Sequence, residues 1–482
     1  VEEELLQDED SIPEIDVTYV AGGPGVVDEA GLPTGSSAND GSTVTTGSFT
    51  IDTGNDQLSA LEVQDKDGNW IDVTAGNVVV QGVNGVLTVT LTNGTYSWSY
   101  ELTNNLTTHT DTDTQDGDSD RGVDDQQPGD MFAVRVIDDD GDISPPATID
   151  IVVNDDGPSV MQTALQPGAL QVDESTLLLD TQLDVSGQFA VVTGADQPAT
   201  TAYALSVPGG SGTDSGLVDI ATGHRVLLSE VNGIIEGRTE TGGELVFTLG
   251  VDASGVLTLD QLRALRHPDS TDPDDVLNLS APDLVVLTAT VTDADGDTAS
   301  DVLELGSAIS FRDDGPQAVD DIAGTAEDTA ITYNVLGNDV AGADDPAVLT
   351  AATLASGQGT VSFLPNGDIT VTPAAGYEGP LVVNYTIEDS DGDPSSATLT
   401  VNVDLDSVPS LTIQDGTVDE AALSDGSNAA SPNEAASGGF GLNTGNDGVG
   451  SLVINGVDVT NGGTVAGAYG TLTVTLTNGV YT

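Results

Sequence analysis

The chain has 482 residues, with 80 acidic side chains against 8 basic ones and a formal net charge of −72. A surface this negative repels nucleic-acid phosphates and anionic lipid headgroups, and it attracts cations. The absence of cysteine removes disulfides and Cys-ligated zinc, and three histidines (His109, His224, His267) are too few and too scattered for a typical zinc centre.

The N-terminal ten residues, VEEELLQDED, carry neither an initiating Met nor a signal-peptide pattern, so residues 1–11 read as a linker inside a longer protein. No apolar run approaches the ~18 residues of a membrane helix. Beyond the linker the chain is almost all predicted strand. LTVTL at 87–91, AVRVI at 133–137, TIDIVV at 148–153, LTATVT at 287–292, ITVTP at 369–373, VVNYTIED at 382–389 and TLTVNV at 398–403 alternate or run with β-branched residues. Gly, Asn and Asp turns separate them. Lys66-Asp67-Gly68-Asn69 predicts a hairpin turn before Trp70, and Trp70 and Trp98 read as hairpin or core residues. The one expected helix covers 259–266, with Asp260 near its start. Short strands with frequent turns predict sandwiches.

Internal repetition sets the organisation. Val27-Asp28-Glu29-Ala30 recurs as Val418-Asp419-Glu420-Ala421, Thr53-Gly54-Asn55-Asp56 as Thr444-Gly445-Asn446-Asp447, and LTVTLTNG at 87–94 recurs at 472–479. A second repeat marks module ends. Asp138-Asp139-Asp140-Gly141-Asp142 is followed by Asp155-Asp156-Gly157-Pro158, and Asp293-Ala294-Asp295-Gly296-Asp297 by Asp313-Asp314-Gly315-Pro316. Asp389-Ser390-Asp391-Gly392-Asp393 leads to Asp404, Asp406 and Pro409. The expected modules are 12–157, 158–315, 316–408 and an incomplete copy of the first type at 409–482, with an open edge at 472–476.

The Asp-x-Asp-Gly-Asp loops are the main candidates for chemistry. Calcium takes six to eight oxygens, and carboxylates on alternate positions of a tight loop converge on one ion. The alternative is a solvated hairpin turn, since Asp-Gly is a common turn pair. Repetition of the motif between strands favours calcium at Asp138, Asp140 and Asp142, at Asp293, Asp295 and Asp297, and at Asp389, Asp391 and Asp393. Asp116, Asp118 and Asp120 have the spacing of a calcium loop, but the glycine falls one place late for an EF-hand and no Glu closes it. That stretch reads equally as an acidic insertion. Asp269 to Asp275 is a weaker candidate of the same kind. Enzyme readings find little: His224 and His267 read as ordinary loop or surface residues, Gly209 to Gly216 lacks the Lys of a phosphate loop, and abundant acids make any carboxylate pair uninformative.

AEDTAITYNVLGND at 326–339, GTVSFLPNGDITVTPAAGYEGP at 359–380 and VNYTIEDSDGD at 383–393 resemble the cadherin-like tandem repeat of bacterial surface proteins. The other modules resemble the longer repeats, including VCBS-type repeats, of giant RTX-type adhesins exported by type I secretion. The GGxGxD nonapeptides of the RTX secretion end do not occur here. The resemblance implies tandem immunoglobulin-like β-sandwiches in an elongated array, calcium as cofactor, a bacterial cell-surface location, and a non-enzymatic extender role in attachment and biofilm formation. The alternative is a carbohydrate- or peptide-binding module of the same adhesin. Implied partners are neighbouring modules and, through other domains, a host or biofilm surface ligand. Strand order taken from the resemblance puts calcium at the module junctions. Glu29, Asp155, Asp156 and the 293–297 hairpin belong to the first, Glu174, Asp313, Asp314 and the 389–393 hairpin to the second, and Glu327, Asp404 and Asp406 to the third.

Overall fold

The computed structural model describes residues 11–107, 126–177, 179–405, 408–445 and 447–482. Asp116, Asp118, Asp120 and Asp406 lie outside them. The chain divides into two compact units, Val1–His267 with Asp274–Asp313, and Pro268–Pro273 with Asp314–Thr482. Both are all-β, built as tandem immunoglobulin-like sandwiches joined by turns and 3-10 corners.

The first unit holds two hydrophobic cores. In the first sandwich, one sheet runs Glu14–Tyr19, Val44–Asp52, Thr95–Leu102, Gly85–Thr92, Val78–Gln81. The facing sheet runs Gly25–Asp28, Ala147–Asn154, Gln127–Asp138, Leu58–Gln64, Trp70–Asp72. Alternate residues point inward, so Leu87 and Val89 meet Trp98, Tyr100, Phe132 and Val134 in the core. Tyr19 stands edge-on to Trp98 at 5.5 Å. Trp70 borders the expected 66–69 turn, with the Arg135 guanidinium 4.0 Å above its ring. The second core, from Leu170 to Phe311, lies among a six-stranded antiparallel sheet and smaller sheets of two or three strands.

The expected helix at 259–266 is absent. Val256–Gln261 is a strand paired on both edges, with Leu257, Leu259 and Gln261 buried and the residues between them half-buried. Ladder partners on both sides override the helix propensity of Leu, Gln and Arg. Gly209 to Gly216 is a turn that enters the strand Thr213–Val218.

In the second unit a four-stranded sheet (Asp321–Thr325, Pro394–Val403, Gly379–Glu388, Val348–Ser356) faces Ile331–Asn334, Asp368–Pro373 and Gly359–Phe363 over a core centred on Tyr385. Residues 409–482 form two-stranded sheets around Leu452, Val459, Val465, Val474 and Tyr481, with Leu472 and Leu476 partly exposed.

One topological element recurs. Near the start of each of the first three sandwiches a short strand lies parallel to the last one. Gly25–Asp28 pairs with Ala147–Asn154, Leu170–Asp173 with Ile309–Arg312, and Asp321–Thr325 with Leu399 to Val403. Parallel neighbours end at the same edge of the sheet. Whatever follows each pair is therefore brought side by side.

Asp130 ties the first sandwich together without any cation. Its carboxylate accepts the N–H groups of Val83, Asn84 and Gly85 (2.6 to 3.0 Å) and the Tyr100 hydroxyl at 2.8 Å. Burial and the Asp130 charge push the Tyr100 phenol well above its ordinary pKa, so it remains a donor. Asp130→Ala strands two buried donors, the Gly85 N–H and the Tyr100 hydroxyl, and is expected to cost ~2–4 kcal/mol, read as a lowered urea midpoint with or without chelator.

Candidate metal centres

The Asp-x-Asp-Gly-Asp loops share one geometry. In each, the first Asp uses Oδ1 to accept two backbone N–H groups: Gly141 and Asp142 on Asp138, Gly296 and Asp297 on Asp293, Gly392 and Asp393 on Asp389, all at 2.7 to 3.1 Å. The glycine sits at φ +106°, +118° and +113°, a conformation that strains any residue with a Cβ. The hairpin-turn reading accounts for Oδ1 alone. Oδ2 of Asp138, Asp293 and Asp389 is buried and has no hydrogen-bond partner. An unpaired buried carboxylate oxygen is costly, and a cation removes that cost. Burial pushes Asp293 to about 6, helped by Asp295 and opposed by the Gly296 and Asp297 N–H groups. Burial likewise pushes Asp389 to about 7, helped by Asp391. Asp138, Asp140 and Asp142 bring ligand atoms within 4.8 Å of one another.

A larger cluster forms between the two sandwiches of the first unit. Val-Asp-Glu builds its first member. Asp28 caps the 3-10 turn by accepting the Ala30 N–H at 2.8 Å, and the turn sends Glu29 inward. Asp173 does the same for Glu174, and Asp419 starts the turn before Glu420, which stays exposed. The parallel register pairs Asp28 with Asn154, so Glu29 and Asp155 emerge abreast. The next sandwich contributes Asp196 and the 293–297 loop, held by the Ala294 N–H donating to the Asp196 carbonyl. Glu29, Asp155 and Asp196 offer carboxylate oxygens within 4.8 Å of one another, all three buried. Asp155, Asp295 and Asp297 form a second such group. Glu29 Oε1 accepts the Leu106 N–H and Asp196 Oδ1 accepts from Asn105 at 2.6 Å, but Asp196 Oδ2 and both Asp295 oxygens have no hydrogen-bond partner. Burial, with Glu29 and Asp295 nearby, pushes Asp196 to about 7 against the Asn105 hydrogen bond. Asp156, expected beside these ligands, accepts the N–H and hydroxyl of Ser36.

Asp196 escaped the sequence reading. Its signal is a repeat: Gly194-Ala195-Asp196-Gln197-Pro198 recurs as Gly342-Ala343-Asp344-Asp345-Pro346. Both glycines adopt positive φ, and each Asp carbonyl accepts from the second residue of an acidic loop, Ala294 or Ser390. A Cβ on Gly194 would stand 1.8 Å from the Asp156 carbonyl oxygen, so the contact admits only glycine.

The parallel register also sets Asp173 opposite Arg312, bringing Glu174 and Asp313 abreast, both buried. His267 joins them, with ligand atoms of the three within 4.8 Å. His267 lies in a loop, as expected, but at 3% exposed it is buried rather than a surface residue. Burial opposes its charge, but Glu174, Asp275 and Asp313 outweigh burial and raise its pKa to about 9. Burial raises Glu174, opposed mainly by His267 and the Leu265 N–H. Asp314 accepts the Ala343 N–H at 3.0 Å in the second unit. Asp389 and Asp393 are buried there, with Asp391 partly covered between them. Glu327 is buried near Gly376, while Asp404 is exposed and donates its N–H to Thr325.

Residues 169–306 match the family model described as a domain of unknown function (DUF5801), and residues 313–402 match that of a bacterial Ig domain. No curated protein matches the chain. Among solved structures, a nucleoside hydrolase-related hypothetical protein from Saccharophagus degradans is similar at 12% identity over 19% of this chain, which spans 26% of that one, with a TM-score of 0.16. Drosophila N-cadherin EC1-3 is similar at 14% identity over 79% of this chain and 98% of its own, with a TM-score of 0.21. Mouse cadherin-23 EC22-24 is similar at 15% identity over 81% and 99%, with a TM-score of 0.22. Likeness at this level bears neither on how the modules are arranged nor on what they bind. Among the described residues, no helix is long and apolar enough to cross a membrane.

Proposed function

We propose that this chain is a non-enzymatic structural segment of an extracellular bacterial adhesion protein, with calcium stiffening its immunoglobulin-like modules. The parent would be a surface adhesin of the RTX type, exported by type I secretion and serving attachment and biofilm formation, as the resemblance implies. The observation that carries the calcium reading is the cluster between the first two sandwiches. Glu29 and Asp155 from one, and Asp196, Asp295 and Asp297 from the other, supply two all-oxygen groups of three that share Asp155. Asp196 Oδ2 and both Asp295 oxygens have no hydrogen-bond partner. Hard oxygen donors of mixed approach suit calcium. An ion there turns mutual repulsion into a bridge and restricts the hinge between these two sandwiches. The Asp138, Asp293 and Asp389 loops are further sites under this reading, with Glu327, Asp404 and Asp406 as candidates after the third sandwich. The large excess of acidic side chains supplies a general attraction for cations, which the loops focus.

Calorimetric titration with calcium tests the reading. Sites with dissociation constants of ~10⁻⁴ to 10⁻³ M are expected, as in extracellular modules. Asp196→Asn with Asp295→Asn keeps the shape and is expected to remove one class of site. An isotherm unchanged by the double substitution overturns the cluster as a calcium site.

A further inference from the structure

Unlike the all-acidic clusters described above, the cluster at Glu174 holds a nitrogen donor. We propose that Glu174, His267 and Asp313 form a site for a divalent transition metal of the zinc class, separate from the calcium sites. Three features carry this. The donor atoms of the three side chains lie within 4.8 Å of one another, and all three residues are buried. Glu174 uses Oε1 for the Gln261 amide and the Leu265 N–H, while its Oε2 is buried without a hydrogen-bond partner. His267 is oriented as a ligand: Nδ1 is held by the Asp275 carboxylate, and Nε2 faces Glu174 Oε1 at 3.6 Å. A metal-bound imidazole commonly gives its other ring N–H to a carboxylate in this way, which fixes the tautomer and strengthens the donor.

The backbone builds this arrangement. The Asp313 N–H donates to the Asp275 carbonyl at 3.0 Å, and the Arg266 N–H donates to the Val218 carbonyl at 2.8 Å, so the strands of the second sandwich fix all four residues. A neutral imidazole is a poor partner for calcium and a good one for zinc, nickel or cobalt. Two carboxylates beside it balance a dication. Asp275 is a positioning residue rather than a ligand.

The inference stands apart from the calcium reading, and its test is run on the whole chain saturated with calcium. Zn²⁺ titration is expected to reveal one further site per chain. His267→Gln is expected to abolish it, and Asp275→Asn to weaken it ~10- to 100-fold. Zn²⁺ binding that His267→Gln leaves unchanged overturns the proposal. Should that variant fail to fold, nitrogen NMR of the three imidazoles in the unaltered chain decides. Zn²⁺ is expected to shift Nε2 of one imidazole to a metal-bound value while Nδ1 keeps its proton. A spectrum in which that ring keeps both protons at saturating Zn²⁺ shows that a proton, not a metal, bridges the carboxylates, and overturns the site. Loss of calcium binding with the zinc site intact separates the two readings.

Discussion

Chelation with EDTA is expected to lower the melting temperature of the first unit by about 5–10 °C for each cation site emptied. Free calcium at 100 times the dissociation constant adds about 2.7 kcal/mol per site. One kcal/mol shifts melting by about 2–4 °C in domains of ~150–250 residues. The effect should be largest for unfolding that separates the first two sandwiches, where Glu29, Asp155 and Asp196 come from different cores. Calorimetric scans in EDTA and in millimolar calcium check this. Equal melting temperatures in the two conditions would leave the buried acidic clusters without a role in folding.

The second large effect is a reversal of pH dependence. Asp196 is raised to about 7, Asp293 to about 6 and Asp389 to about 7. Each is held above its unfolded value, chiefly by burial. Between the ordinary carboxylate range and these values the folded chain binds more protons than the unfolded one, so stability falls as pH rises. The cation-free protein is thus expected to melt higher near ~pH 5 than near ~pH 8. Self-repulsion of the acidic surface acts in the same direction. Asp196→Asn removes one titrating group and should flatten part of the slope. Calcium bound as proposed would replace the protons, so in millimolar calcium the drop between these pH values should shrink or vanish. A cation-free protein that gains stability toward ~pH 8 contradicts the assignment.

Much of this fold is legible in the sequence. Period-two runs such as LTVTL mark strands, and Asp-Gly-Asp marks the turns between them, because both depend on neighbours a few residues apart. Val-Asp-Glu is readable for the same reason, as a cap and a corner. The helix expected at 259–266 fails because the partners of Val256–Gln261 come from Thr181–Asp184 and Leu245–Val251, and local propensity knows nothing of them. Asp196 was hidden in a five-residue repeat whose value appears only when its loop meets Glu29. His267 was the hardest case. It follows Arg266 and precedes Pro268, a polar context, and only the fold reveals that Asp275 and Glu174 close around it.

The parallel pairing of an early strand with the last one has a mechanical side. Tension on the chain draws the early strand toward the N-terminal end of its sandwich and the last strand toward the C-terminal end. For two parallel neighbours these pulls oppose each other along the strand direction. The ladder from Gly25–Asp28 to Ala147–Asn154, and the longer one from Asp321–Thr325 to residues 399–403, are then loaded in shear. Their hydrogen bonds resist together instead of opening one at a time from an end. A cation held by Glu29 and Asp155 would sit where the first of these ladders ends and act as a clasp on it. Under flow, the strength of the first sandwich would then follow the ionic composition of the surrounding water.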